Sequence, residues 1–369
     1  MAVQDSSRQH QLRDWLVPHL GEIPEDCLVP ASTDASFRRY YRLTLRGDGA
    51  LPSAIGHGTA PWPAQDVPAS VILMDAPPPQ EDLRRFVGLA QRLHALGLHV
   101  PAIHASDFEA GFALVGDLGH TTYLASLEHD PTRAEALYDA AIDALVDLQC
   151  APPEFTAALP AYDEALLRRE LSMLEDWYLQ HHLGLAPGSH AQVLAPAGDA
   201  LVAYALAQAP VAVHRDYHCR NLMCSDPLPG VLDFQDMVRG APAYDLASLL
   251  RDCYLELPAA FQRRCLTRYQ RGLADRGGAN GPVPSLDTLS EQVDWAAIQR
   301  HLKVLGIFTR LWYRDGRAEY LQYLPRVRAY LIEACARHEP LQALGELIAH
   351  WGPGDEAAVA RVREEATSS

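Results

Sequence analysis

Apolar and polar positions follow two rhythms along this chain, and the rhythm changes once. Helical spacing runs from Ser6 or Ser7, either of which can cap, to Leu20, where Gly21 stops it. Residues 28–46 read as two strands around the polar turn Thr33-Asp34-Ala35-Ser36. Within FRRYYRLTLR (37–46) aromatic and apolar residues alternate with basic ones, as on a half-buried strand. The Gly- and Pro-rich stretch 47–68 predicts a loop, and SVILM (70–74) a short buried strand. PPP (77–79) leads into an amphipathic helix from about Glu81 to Leu96, closed by Gly97. Short strands are expected near 102–106 and 111–116.

After Asp117-Leu118-Gly119 the helical rhythm takes over, at 121–150, 161–182 and 190–208, and again from 243 to 350. Two brief runs interrupt it, VAV (211–213) and VLDF (231–234). The polar tail after Gly352 is expected to fray. The pattern therefore predicts an α+β protein. An N-lobe of mostly antiparallel sheet with one inserted helix covers 1–118, with a hinge near 115–118, and a larger helical lobe covers 119–369. A length of 369 residues suits two such lobes.

Composition narrows the classes of function. Hydrophobic residues make up 48% of the chain, enough for a large core. A formal net charge of -16 disfavours nucleic acid as a partner, because the chain would repel phosphates. No run approaches the ~20 apolar residues of a membrane span, so no membrane partner is expected. MAVQDSSRQHQLRDWL lacks the basic-then-apolar pattern of a leader. Seven scattered cysteines without a CxxC suggest reduced thiols and a cytoplasmic protein. Nothing in the pattern requires an obligate protein partner. Lys303 is the only lysine.

The densest chemistry is HRDYHCRN (214–221), which follows VAV, with Asp233 in VLDFQD after the next apolar run. A hairpin-like return would bring Asp233 close to Asn221. A carboxylate and an amide oxygen suit Mg2+, which takes few protein ligands and completes its shell with water and phosphate oxygens. The remaining carboxylate, Asp216, can accept the proton of an attacking hydroxyl, as phosphoryl transfer requires. A capped turn explains any one of these residues. It does not explain the set, with a His two before the Asp, flanking apolar strands and a second Asp beyond.

HRDYHCRN followed by VLDFQD resembles the catalytic and metal loops of the protein-kinase-like superfamily, most closely its aminoglycoside phosphotransferase branch. The resemblance implies a two-lobe protein-kinase-like fold that uses ATP and Mg2+. It makes Asp216 the catalytic base, Asn221 and Asp233 the metal ligands, and His214 a brace for the loop. Asp245, in APAYDLASLL, resembles the structural Asp that ties a helix to that loop. The phosphate-cradling turn implied before the second strand has no glycine here, so Ser36, Phe37, Arg38 and Arg39 are its candidates. Where the branch has a lysine at the end of the third strand, VILM has Met74. Arg38 or Arg39 is expected to supply that cation, since Arg binds phosphate bidentately. Glu81 or Asp82 could match the helix acid that pairs with that lysine, but without the lysine both read as solvated acids in the first turn of a helix, favoured by its dipole. FALVGDLG (112–119) resembles the hinge that holds adenine, which makes Val115, Gly116, Asp117 and Leu118 candidates.

TDASFRRYYRL, VILMDAPPP, HRDYHCRNLM and GVLDFQDMVRGAPAYDLASLLRD together resemble the bacterial kinases of cell-wall recycling that act on the anomeric hydroxyl of N-acetylmuramate and N-acetylglucosamine. That resemblance implies a small amino sugar as substrate and its 1-phosphate as product. Candidate sugar contacts are Glu170, Asp176, Arg239, Arg310, Tyr313, Arg314 and Asp315. Two other readings stay open. One is an aminoglycoside or other small-molecule phosphotransferase, which the acidity suits. The other is a nucleotide-binding pseudokinase, which the missing strand lysine suggests.

Overall fold

The computed structural model describes residues 2–21, 23, 27–32, 38–46, 67–277 and 281–367. It divides into two compact units, Met1–His120 with Met223–Gln235, and Thr121–Leu222 with Asp236–Ser369. The turn 33–36 and residues 47–66 of the loop 47–68 lie outside the described residues.

The first unit is built on a five-stranded antiparallel sheet. Its elements are α1 (Ala2–Leu20), β1 (Val29–Ser32), β2 (Arg39–Thr44), β3 (Ser70–Asp75), α2 (Leu83–Ala95), β4 (Ile103–Asp107) and β5 (Phe112–Gly116), in the sheet order β1-β2-β3-β5-β4. Alternation along β2 turns Tyr41 and Leu43 into a core with Leu12, Leu16 and Leu20 of α1 and with Leu73, Phe112 and Leu114. Each such side chain contributes about 1.5–3 kcal/mol on burial. Helix α2 begins later than its sequence suggests. Asp82 is its N-cap, accepting from Arg85 N at 3.3 Å, so Glu81 lies outside the helix. Phe86 of α2 stacks on Phe234, and Val231 N donates to His99 O at 2.8 Å. These contacts place the segment around Asp233 in the first unit.

The second unit packs helices around one long helix, Leu286–Asp315, capped by Ser285 and ended by the left-handed Gly316. From Ala296 to Gly306 that helix is buried on every side. Gly306 is what allows this. A Cβ there would collide with the backbone oxygen of Met173, at the end of helix Glu164–Met173, so the two helices pass backbone against backbone. Strands Val211–Val213 and Val238–Gly240 pair antiparallel.

The expected frayed tail is instead a docked helix, Gln342–Thr367, which continues through Pro353. Trp351, Ala358 and Val362 are buried, and so is Asp355. Asp355 accepts from His182 Nε2 at 2.9 Å and from Arg328 Nη1 at 2.9 Å. The apolar residues are few but fall on one helical face, and the buried carboxylate is fully engaged. Among the described residues no helix is long and apolar enough to cross a membrane.

Gly306→Ala is expected to destabilise the protein by about 1–3 kcal/mol through overpacking against backbone. Urea unfolding checks this, and a change below about 0.5 kcal/mol, within the range of neutral surface substitutions, would mean that the two helices can separate freely.

Candidate active site

Strand Val211–Val213 is fully buried and delivers the chain to the HRDYHCRN loop. Asp245, buried in helix Ala243–Leu250, takes hold of it there. Asp245 Oδ2 accepts from His214 N at 2.7 Å and Oδ1 from Arg215 N at 2.9 Å. Between these anchors Arg215 turns left-handed, with φ 76. A non-glycine residue in that region costs of order 1–3 kcal/mol and persists only where its surroundings fix it. Burial pushes the Asp245 carboxyl up to about 7, against the two amides that favour its charged form.

The rest of the loop is held as firmly. The carbonyl of Asp216 accepts from His218 N at 3.1 Å and from Asn221 Nδ2 at 2.9 Å. His214 Nδ1 accepts from Asp216 N at 3.3 Å, the bracing role expected of it. Asp252 receives Cys219 N at 2.9 Å, and Tyr217 Oη donates to Ala141 O at 2.9 Å. The Asp216 side chain is left half-buried. Burial would raise its carboxyl, but Lys303, then His218, Arg300 and Arg215, outweigh that and hold it at about 2. At any working pH it is a carboxylate, suited to orienting a hydroxyl and receiving its proton.

Glu170 has different surroundings from those expected of a sugar ligand. It is buried, and its Oε1 accepts from Lys303 Nζ at 2.8 Å and from Arg215 Nη2. Its Oε2 accepts from Tyr162 Oη. Burial alone would raise this carboxyl, but Lys303 and Arg215 lower it. Both oxygens thus serve the chain's own groups.

Asp233, in the first unit, is also left-handed, with φ 62, and Gln235 Nε2 donates to its Oδ1 at 2.6 Å. Asn221 directs its amide nitrogen to the Asp216 carbonyl, which makes its oxygen the atom suited to a cation. No group of three or more His, Cys, Asp or Glu residues that could hold a metal ion occurs among the described residues. Asp233, in the first unit, and Asn221, in the second, each offer an oxygen of the kind Mg2+ takes beside waters and phosphate oxygens.

Met74 on β3 pairs with Tyr40, and Arg38 stands just before β2. Its Nε donates to Glu81 Oε2 at 2.9 Å, with side-chain exposures of 9% and 15%. Glu81 is therefore one half of a largely buried ion pair, and the solvated role expected of it is corrected. Asp82 is a cap. Arg39 is exposed, and Ser36 and Phe37 lie outside the described residues. In the segment expected to be the hinge, the Asp117 carboxylate accepts from Arg42 Nε at 2.6 Å, Arg42 Nη2 at 2.9 Å, Ser70 Oγ at 2.6 Å and Gly119 N at 2.9 Å. Gly116 N donates to Ala102 O at 2.8 Å, while Val115 lies within β5 and Leu118 just beyond it.

The remaining sugar candidates have varied surroundings. Arg310, Tyr313, Arg314 and Asp315 share the last turns of the long helix, where Tyr313 Oη lies 3.3 Å from His182 Nδ1 and Arg314 pairs with Asp315. Asp176 is exposed on the π-helical turn Leu174–His182. Arg239 lines a cavity of about 390 Å³ with Tyr162, Tyr244, Trp295 and Gln299. Four residues near the loop went unnoticed in the sequence as parts of the site: Lys303, Arg300, Asp252 and Arg220. The guanidinium of Arg220 lies 4.7 Å from the ring centroid of Tyr254 and 5.4 Å from that of Tyr320. Lys303 alone carried a signal, as the single lysine of the chain.

A family model described as "Phosphotransferase enzyme family" matches residues 28–281. The chain is 43% identical over 365 residues to a Pseudomonas aeruginosa protein named N-acetylmuramate/N-acetylglucosamine kinase, covering 96% of this chain and 100% of that one. A Pseudomonas putida protein of the same name is 42% identical over 361 residues, covering 95% and 98%. Among solved structures, a choline/ethanolamine kinase family protein from Mesorhizobium loti aligns with a TM-score of 0.55 at 14% identity, over 92% of this chain and 99% of that one. The α+β, protein-kinase-like fold that the motifs implied is the fold present.

Burial would raise the Asp117 carboxyl, but bonds from Arg42, Ser70 and Gly119 lower it below its usual value of 3.8. A depressed folded value means that this carboxylate stabilises the fold above the unfolded value and loses that contribution as pH falls through the folded one. Asp117→Asn is expected to cost about 3 kcal/mol at pH 7, as for a broken buried pair. The gap to wild type should narrow below pH 4, and denaturant melts at both pH values would read it.

Proposed function

The chain belongs to the phosphotransferase enzyme family, and on that premise we propose that it transfers the γ-phosphoryl group of ATP to the anomeric hydroxyl of N-acetylmuramate or N-acetylglucosamine. The products are ADP and the sugar 1-phosphate. The names carried by relatives that align over nearly their whole length support this choice of acceptor. The observation that carries it is Asp216, an ionised carboxylate on a loop whose backbone Asp245 and Asp252 hold.

In this reading Asp216 orients the acceptor hydroxyl and takes its proton as the phosphoryl group transfers. An anomeric hydroxyl is more acidic than an ordinary alcohol, so a weak base is sufficient. Asn221 and Asp233 are each candidate ligands of Mg2+, which would neutralise phosphate charge. Arg38, oriented by Glu81, acts where the family's strand lysine would stand, and that pair weakens the pseudokinase reading. The backbone of Asp117 and Leu118 serves adenine, since the Gly116 amide is already engaged. Arg310, whose buried Nε has no hydrogen-bond partner among the described residues, offers a cation to the lactyl carboxylate of muramate. The reaction belongs in the cytoplasm, where ATP is at hand and the buried thiols Cys219, Cys253, Cys265 and Cys335 stay reduced.

ADP release is measured with Mg2+ and N-acetylmuramate, N-acetylglucosamine or kanamycin. Turnover with the two amino sugars is expected, and turnover with kanamycin alone would overturn the choice of acceptor. Asp216→Asn is expected to lower turnover by about 10²–10⁴-fold, the range for a positioned general base, while ATP affinity stays within about twofold. Arg38→Ala is expected to raise KM for ATP about tenfold, the loss of one charge-assisted contact of about 1.4 kcal/mol. An unchanged KM would remove Arg38 from the phosphate site.

A further inference from the structure

Lys303, the only lysine in the chain, is buried in the long helix. An ammonium in that position is costly unless paired. Its partner is Glu170 Oε1 at 2.8 Å, the same oxygen that accepts from Arg215. Two cations therefore share one carboxylate, and the trio keeps one positive charge. The residue next to Arg215 is Asp216, and Arg215 is pinned by Asp245 and by its left-handed turn. Of the charges that favour the Asp216 carboxylate, Lys303 is the largest, and Asp216 in turn favours the ammonium of Lys303.

The packing that forms this pair is set by backbone. Gly306 stands three residues after Lys303, and Met173 three residues after Glu170, so the close approach at Gly306 brings the two charged side chains together one turn earlier. This gives the single lysine a fixed place beside the catalytic loop.

We propose that Lys303 is a positioning residue for phosphoryl transfer: anchored by Glu170, its ammonium balances the charge of Asp216 and holds that carboxylate in place for the acceptor hydroxyl. The inference rests on the kinase reading of Asp216. A merely structural Lys303 would serve only to help neutralise Glu170, whose charge Arg215 also balances, and its removal would then leave turnover nearly unchanged.

The test compares ADP release by wild type, Lys303→Met, Lys303→Arg and the double variant Glu170→Gln/Lys303→Met. Lys303→Met is expected to lower kcat about 100-fold, the scale of one preorganised electrostatic contact, with KM for ATP and sugar within about threefold. Lys303→Arg should recover to within about tenfold of wild type, and the double variant should stay at least about 30-fold slow. A wild-type kcat in the double variant would overturn the proposal, as would a Lys303→Met enzyme within about threefold of wild type. If circular dichroism shows that Lys303→Met does not fold, Lys303→Arg and the double variant decide. ATP hydrolysis without sugar is followed on the same proteins. A wild type that hydrolyses ATP but phosphorylates neither sugar would remove only the choice of acceptor, and the ratios among variants in hydrolysis would still decide the role of Lys303.

Discussion

One buried carboxylate fixes the geometry on which everything near the loop depends. Asp245 accepts the amides of two consecutive residues, His214 and Arg215, at 2.7 and 2.9 Å. Even as ordinary hydrogen bonds the two contribute about 0.5–1.5 kcal/mol each, which offsets much of the cost of about 1–3 kcal/mol of holding Arg215 left-handed. Asp216 follows that turn directly, and Lys303 is the largest of the charges that keep it ionised.

Those cations show how an acidic chain manages charge in its interior. The fully buried stretch of the long helix carries Gln299, Arg300, His301 and Lys303 among apolar neighbours. Buried charges persist only when paired, and the pairs here reach far across the sequence. Lys303 and Glu170 are 133 residues apart, and His182 and Asp355 are 173 apart. Arg300 is 3.3 Å from Cys253 Sγ, beside Asp252, which holds Cys219 of the loop. Contacts of the long helix therefore lead, through Glu170 and Arg215 and through Cys253 and Asp252, to the HRDYHCRN loop.

This reach also explains what the sequence revealed and what it concealed. The local bonding of His214, Asp216 and Asn221 was legible because their spacing is itself the signal. The strands were legible from alternation. Glu81 was misread because its partner lies 43 residues away and a capping Asp stands next to it. Glu170 looked like a sugar ligand because an acid on a helix shows nothing of the cations that will enclose it. The C-terminal helix looked frayed because its buried positions are sparse and one of them, Asp355, is charged. Lys303 stood out only as the single lysine, and the close passage at Gly306 accompanies its pairing with Glu170, 133 residues away.

The most direct measurement of the site of transfer is phosphorus NMR of the product, together with turnover of free N-acetylmuramate and N-acetylglucosamine beside their 1-O-methyl glycosides. A glycosyl 1-phosphate signal from the free sugars, and no turnover of the glycosides, is the expected result. Glycosides phosphorylated as fast as the free sugars would contradict transfer to the anomeric oxygen.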